Sequence, residues 1–374
     1  MRATVVHRRP PRAAAVLAAG LIGIGMLAAQ STVEAAKPRP RPVARAPSGA
    51  ASTPTAYLHR QDVAKWMDDI ANSHQLDRDW IEQTLGKARY VPAVARLIMP
   101  PPAGTAKNWA AYRARFIEAR RIQAGVAFWS AHEHWLLAAE QRYGVPAEVV
   151  VGIIGVETFF GRMTGGFRVL DALATLAFDF PPGRKDRSAF FKDELGHFLV
   201  LTHVEGADPA KVQGSYAGAI GLGQFMPGSI RRFAIDFDGD GHVDMAHNAG
   251  DVIGSVAHYL ASFGWKPGAA THYPVTAPTD TAARAALLLP DILPSFTAAD
   301  MEAQGAVLPD GARMHDGPLA LIELQNGAAA ATHVVGTQNF YALTRYNWSA
   351  YYAMAVIELG QAVKAQRALS GAAR

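Results

Sequence analysis

Hydrophobic positions recur at helical spacing over most of this chain. Val63, Trp66, Met67 and Ile70 share one face, and Trp80, Ile81 and Leu85 share a second, stopped by Gly86. Met99-Pro100-Pro101-Pro102 breaks the pattern, because proline neither donates a backbone hydrogen bond nor continues a helix. The spacing then predicts two long amphipathic helices over 109–125 and 126–143, the second ending before Gly144. Residues 149–161 form a nearly continuous apolar run, with Pro146 suited to a first helical position and Gly161 to a helix end. Further helices are expected over 168–179, stopped by Pro181-Pro182-Gly183, and over 190–204. From 271 to 344 the pattern becomes strand-like, in His272-Tyr273-Pro274-Val275, 319–327 and Thr332-His333-Val334-Val335, with a turn at Asn326-Gly327. Residues 346–359 predict a helix that returns to the core.

The fold class is therefore mainly α (α+β). The expected organisation is a helical domain over 59–135, a core over 136–270, a small β-rich insertion over 271–340 and a C-terminal helix over 341–374. Ahead of these, Arg2, Arg8, Arg9 and Arg12 precede an apolar stretch, and Val33-Glu34-Ala35 supplies a small-x-small site. That is the pattern of a secretory signal peptide over 1–35, with export to the periplasm expected. An uncleaved signal would instead act as a membrane anchor. Residues 36–58, rich in Pro, Ala and Ser, read as an extended linker.

Charge changes the picture only once it is divided. The whole chain has 36 basic and 32 acidic residues, but 8 basic and 1 acidic precede residue 59, leaving 28 against 31 beyond it. The folded body is not basic, which argues against a nucleic-acid partner. The chain has no cysteine, which excludes disulfides, thiolate nucleophiles and thiolate zinc sites.

Three stretches carry candidate chemistry. Glu157 is a single carboxylate near the end of the apolar run. Burial there would favour its neutral form, as a general acid requires. The competing reading is a helix-terminal Glu paired with an arginine, for which Arg162 is the candidate. The second stretch, 214–227, sets Ser215, Tyr216 and Gln224 among small residues, which suits either a close backbone approach to a ligand or tight packing. The third, 236–244, places Asp236, Asp238, Asp240 and Asp244 at loop positions one, three, five and nine, with Gly241 at six, as Ca2+ loops do. His242 would offer its backbone carbonyl. His247 occupies position twelve, where a Glu belongs, and Asp251 is placed to close the site from the next helix. The histidines lack zinc-ligand spacing.

Taken in order, Ile153-Ile154-Gly155-Val156-Glu157-Thr158, 168–176, 214–221 with Gln224-Phe225-Met226-Pro227, and the acidic loop resemble the lytic murein transglycosylase B family over about 60–365. The resemblance implies a lysozyme-like catalytic core with flanking α and small β domains, and one structural Ca2+. It implies cleavage of the β-1,4 bond between N-acetylmuramic acid and N-acetylglucosamine in peptidoglycan, leaving a 1,6-anhydro end, with Glu157 as the single acid/base. It places Ser215, Gln224, Phe225, Tyr112, Tyr259, Tyr346, Asn347 and Tyr352 along a glycan groove, Tyr112 on the Trp109-x-x-Tyr112 spacing alone. His258 stands where the family usually has Asn. Glycan strands are the implied partner, and cell-wall synthesis enzymes are candidate protein partners. Two alternatives remain open at this level: a hydrolytic muramidase with Asp171 or Asp179 as second acid, and a non-catalytic peptidoglycan-binding scaffold.

Overall fold

Helix α1 (Gln61–His74) buries Val63, Trp66, Met67 and Ile70, the face the spacing predicts. Asp77 caps α2 (Arg78–Leu85), accepting from the N–H groups of Asp79 and Trp80. The computed structural model describes residues 57–100 and 106–372, so the signal peptide and nearly all of the linker lie outside the described residues. After α3 (Pro92–Leu97), three helices replace the two long ones expected over 109–143: α4 (Trp109–Ala114), α5 (Ala119–Ala131) and α6 (Glu133–Tyr143). Glu118 causes the first break. Its carboxylate accepts from the N–H groups of Arg120 and Arg121 at 2.8 Å, starting a new helix there. At His132 the backbone leaves helical geometry (φ −122, ψ 22).

Helix α7 (Ala147–Thr158) has Pro146 as its N-cap rather than its first residue. It ends earlier than Gly161, because Phe159 turns left-handed (φ 51) and its N–H returns to Gly155. Strand β1 (Phe167–Arg168) leads into α8 (Val169–Phe178) and α9 (Ser188–Val204). Strand β2 (Gln213–Gly214) pairs antiparallel with β1, and α10 (Pro227–Phe233) and α11 (Ala249–Ser262) complete this region.

The region expected to be β-rich is mixed. Strands β3 (His272–Pro274), β4 (Ala320–Asn326) and β5 (Ala329–Gly336) form an antiparallel sheet in the order β3-β5-β4, with the Asn326-Gly327 turn joining β4 to β5. Between β3 and β4 lie α12 (Thr281–Leu288), α13 (Ala298–Ala303) and α14 (Asp310–Arg313). Local signals account for them: Asp280 caps α12, and Thr297 with Asp300 forms a capping box on α13. Leu287, Met301, Leu308, Leu319, Leu321 and Val335 belong to a separate small core. Finally α15 (Gln338–Tyr346) ends at Asn347, whose extended backbone (φ −146) interrupts the single helix expected over 346–359, and α16 (Ala350–Ala372) follows.

Helix α16 packs along α7, and glycines set the distance. A Cβ on Gly152 would stand 2.3 Å from the Val356 carbonyl oxygen, and one on Gly360 would stand 2.1 Å from that of Glu148. Four residues forward on one helix match four back on the other, so the two run antiparallel. Among the described residues no helix is long and apolar enough to cross a membrane.

Candidate active site

Continuing that antiparallel register one further turn brings Tyr352, near the start of α16, opposite Glu157, near the end of α7. Every other residue of α7 except Glu148 is buried, whereas Glu157 is partly exposed. The two carboxylates differ in company. Glu148 pairs with Lys364 at 2.7 Å, but no ion pair reaches Glu157 among the described residues. Arg162, its candidate partner, lies 5.0 Å from the centre of the Phe159 ring instead. Arg121 lies 4.5 Å from the same ring and donates to the Gly155 carbonyl at 2.7 Å, satisfying an end of α7.

Burial pushes the Glu157 carboxyl up to about 7, with the nearby Tyr352 hydroxyl opposing part of that rise. The Tyr352 contact falls short of regular hydrogen-bond geometry, so its Oη is buried without a regular partner. Tyr112, Tyr346 and Tyr352 have their hydroxyl pKa values raised, first by burial and then by the Glu157 charge, which brings these three expected site residues to one carboxylate. Asp171 and Asp179 are engaged elsewhere: Asp171 accepts from the Arg89 N–H at 2.9 Å, and Asp179 pairs with Arg60 at 2.7 Å.

The loop carrying Gln224 closes against Thr158, the residue after Glu157. Ile220 and Phe225 exchange two backbone hydrogen bonds, which forces a tight turn in which Gln224 is left-handed (φ 50). Its Nε2 donates to the carbonyls of Thr164 (3.1 Å) and Gly221 (2.9 Å). Non-glycine residues in this region are strained, and strain of this kind gathers at functional sites. The Tyr346 hydroxyl donates to the Gly223 carbonyl, and its ring meets Phe225, Tyr259 and Tyr352 at 5.6, 5.0 and 6.3 Å between centroids. Ser215, Phe225 and Tyr259 are each 2% exposed. Ser215 Oγ accepts from the N–H groups of Ala217 and Ala219, and Tyr259 donates to the Arg345 carbonyl at 2.6 Å. These three form the layer behind the site surface. Asn347 Oδ1 is buried without a partner, a second polar atom left open near Tyr346. His258 faces Phe233, with its Nδ1 2.9 Å from that carbonyl.

Carboxylate oxygens of Asp236, Asp238 and Asp251 lie within 4.8 Å of one another. Asp251 is fully buried on α11 and also accepts from the N–H groups of Phe237 and Asp244, both at 2.8 Å. Asp240 is not one of this trio; it accepts from the His242 N–H at 2.8 Å. His247, at the altered position, faces Asp244 at 3.3 Å. An all-carboxylate cluster offers the hard oxygen donors that Ca2+ takes. The loop is wired to the active site through backbone. The Leu222 N–H donates to the Met245 carbonyl at 3.1 Å, and Thr158 Oγ1 donates to the Leu222 carbonyl at 2.9 Å. Gly221 permits this approach, since at its φ of +74 a Cβ would stand 1.8 Å from the Met245 oxygen.

Two residues gain a place that their sequence context did not signal. Thr158, next to Glu157, clamps the end of α7 to the Gln224 loop. Tyr351 takes the Gln325 N–H at 2.7 Å and meets Tyr112 and Trp109 edge-on at 5.9 and 6.1 Å, tying the β-hairpin to Tyr112. Thr158 becomes visible only once the Gln224 loop is set against the end of α7, and Tyr351 only once α4, β4 and α16 are in register.

Comparison with known proteins places the chain in a family. The transglycosylase SLT domain family matches residues 59–361. Membrane-bound lytic murein transglycosylase B of Escherichia coli (strain K12) is 38% identical over 319 residues, covering 83% of this chain and 85% of that protein. The Escherichia coli lytic transglycosylase SLT35, solved in complex with calcium, superposes with a TM-score of 0.72 at 36% identity, over 84% of this chain and 96% of that one. SltB3 of Pseudomonas aeruginosa, solved with NAG-anhNAM-pentapeptide, gives a TM-score of 0.64 at 25% identity, over 80% and 79%. With its mainly helical fold and its match across four-fifths of the length, the chain belongs to the transglycosylase SLT domain family, among the lytic murein transglycosylases of type B.

Proposed function

We propose that this chain is a peptidoglycan lytic transglycosylase that cleaves the β-1,4 bond between N-acetylmuramic acid and N-acetylglucosamine and leaves a 1,6-anhydro end. One arrangement carries the reading: a single carboxyl, its pKa raised to about 7 by burial, lies near three tyrosines, with no second acid acting on it among the described residues. Neutral Glu157 gives its proton to the glycosidic oxygen as the bond to C1 breaks. The substrate's own N-acetyl oxygen supports the positive charge that develops at C1. The carboxylate then takes the proton from the C6 hydroxyl as that oxygen bonds to C1, so Glu157 is restored and no water is consumed. An intramolecular nucleophile needs only correct placement, and apolar surroundings exclude the competing water. Asn347 Oδ1, buried without a partner, and Tyr352 Oη, whose one neighbour is the Glu157 carboxyl, are suited to sugar amide and hydroxyl groups, with Tyr112, Tyr346 and Gln224 as further contacts. Ser215, Phe225 and Tyr259 hold that surface from behind.

A hydrolytic muramidase would need a second carboxyl across the bond. Asp171 and Asp179, bound to Arg89 and Arg60, do not supply it. Mass spectrometry of muropeptides released from sacculi separates the readings. Products one water lighter than reducing-end fragments, and inert to borohydride, are expected. Reducible products would instead point to hydrolysis, and binding without release to a scaffold.

Asp236, Asp238 and Asp251 would hold a Ca2+ ion, with the His242 carbonyl and Asp240 at the rim of the loop. Its role is structural: it neutralises the converging carboxylates and fixes the loop against Met245 and Leu222. At Ca2+ a hundredfold above its dissociation constant, binding adds about 2.7 kcal/mol, a rise in Tm of about 4–8 °C. Chelation is expected to reverse that rise, and Asp251→Asn to abolish it. A melting curve indifferent to Ca2+ would remove the ion from the account. The signal-like N-terminus and the wall substrate support a periplasmic location.

A further inference from the structure

Arg345, on the last turn of α15 beside Tyr346, is 6% exposed and has no carboxylate partner among the described residues. Its guanidinium lies over three rings: Phe263 at 5.2 Å, Trp348 at 5.3 Å and Tyr341 at 5.8 Å. Other part-buried arginines differ. Arg60 binds two aspartates, Arg121 donates to the Gly155 carbonyl, and Arg168 donates to that of Lys87. Ring faces attract the positive charge from above and below the guanidinium plane. They leave its N–H groups, which lie in that plane, without acceptors. None of the Arg345 nitrogens is a buried atom without a partner, so its open donors reach the surface, where an anionic ligand can meet them.

The cage is continuous with the active-site wall. Phe263 meets Tyr259 at 4.6 Å, and Tyr259 meets Phe225 at 5.6 Å and Tyr346 at 5.0 Å. Arg232, exposed on the last turn of α10, acts with Arg345 on the Tyr259 hydroxyl, so this end of the wall is electropositive. The planar edge of one guanidinium matches the two oxygens of a carboxylate, and the cage rings offer apolar surface to whatever carries it.

We propose that Arg345 recognises a carboxylate of the stem peptide borne by muramic acid residues, making the wall beyond Tyr346 a peptide subsite. The assignment rests on the glycan-cleaving reading above. The test compares peptide-bearing glycan strands with strands stripped of peptide, using the full chain. Arg345→Met is expected to lower kcat/KM about 10- to 100-fold on peptide-bearing strands and to change it less than about twofold on stripped ones. Arg345→Lys, which keeps the charge and loses the two-pronged edge, should show a smaller loss with the same selectivity. Equal losses on both substrates, or none on either, would overturn the proposal.

Calorimetry on the unaltered chain needs no variant to fold. A free stem peptide should bind, and its fully amidated form should bind at least about tenfold more weakly. Equal binding of the two would also overturn the assignment. If the unaltered chain cleaved neither kind of strand, the proposed activity would fall, and the peptide comparison would still decide the role of Arg345.

Discussion

Glu157→Gln is expected to abolish glycan cleavage, lowering kcat about a thousandfold or more, while the protein stays folded and gains stability above neutral pH. The amide is nearly isosteric and keeps a carbonyl for Tyr352, but it can neither give nor take the proton. The stability gain follows from the pKa. Burial holds the carboxyl at about 7 against an ordinary 4.5, so the folded chain keeps a proton that the unfolded chain has lost. Stability from this group is therefore full below pH 4.5, falls as pH rises through 7, and is flat above that. Glutamine carries no such dependence. At pH 8 the variant should be more stable by about 1–3 kcal/mol in urea unfolding, allowing for the partial exposure of Glu157, and equal to the parent at pH 4. In the parent, kcat should fall as pH rises past about 7, as the acid loses its proton. Substantial cleavage by the variant would remove Glu157 from its role. Equal stability at both pH values would remove the burial argument.

The apolar run before Glu157 made its environment legible from sequence, because so unbroken a run has to be covered on nearly all sides. Its lack of an ion pair was not legible, since Arg162 is near in sequence yet turned onto Phe159. The acidic loop was readable as a spacing, but only the folded chain shows Asp251 meeting Asp236 and Asp238 while Asp240 does not. Helix boundaries failed where a side chain overrode periodicity: Glu118 caps α5 in the middle of an amphipathic pattern, and Asn347 extends the backbone between two helical stretches. In the small domain the strand-like runs at 272–275, 319–327 and 332–335 dominated the pattern, although the caps at Asp280 and Thr297, and the Ala- and Leu-rich stretch after Asp280, are local helix signals. Tyr259 and Ser215 show a different limit. A motif says that a residue belongs to a site without saying which layer it occupies.

The α7–α16 crossing carries the other large effect. Gly152→Val should destabilise the protein by about 3 kcal/mol or more and lower kcat at least about tenfold. Its Cβ alone would stand 2.3 Å from the Val356 carbonyl oxygen and 3.2 Å from Val356 Cγ1. Backbone cannot rotate away as a flexible side chain can, so the helices must separate or slide. Gly360 permits the same close approach from the other helix, where a Cβ would stand 2.1 Å from the Glu148 carbonyl oxygen. The register that pairs these glycines is also the one that sets Tyr352 across from Glu157. A slide that relieves the clash therefore moves the tyrosine relative to the acid, and the same substitution should reach both stability and chemistry. Gly166→Ala is the control, since a Cβ there meets nothing within 4 Å, and it should stay within about 0.5 kcal/mol of the parent. Urea unfolding and single-turnover cleavage measure the two effects separately. A Gly152→Val protein as stable as the parent would mean that the helices have room to part. One that is destabilised but fully active would mean that Tyr352 reaches Glu157 without help from the crossing.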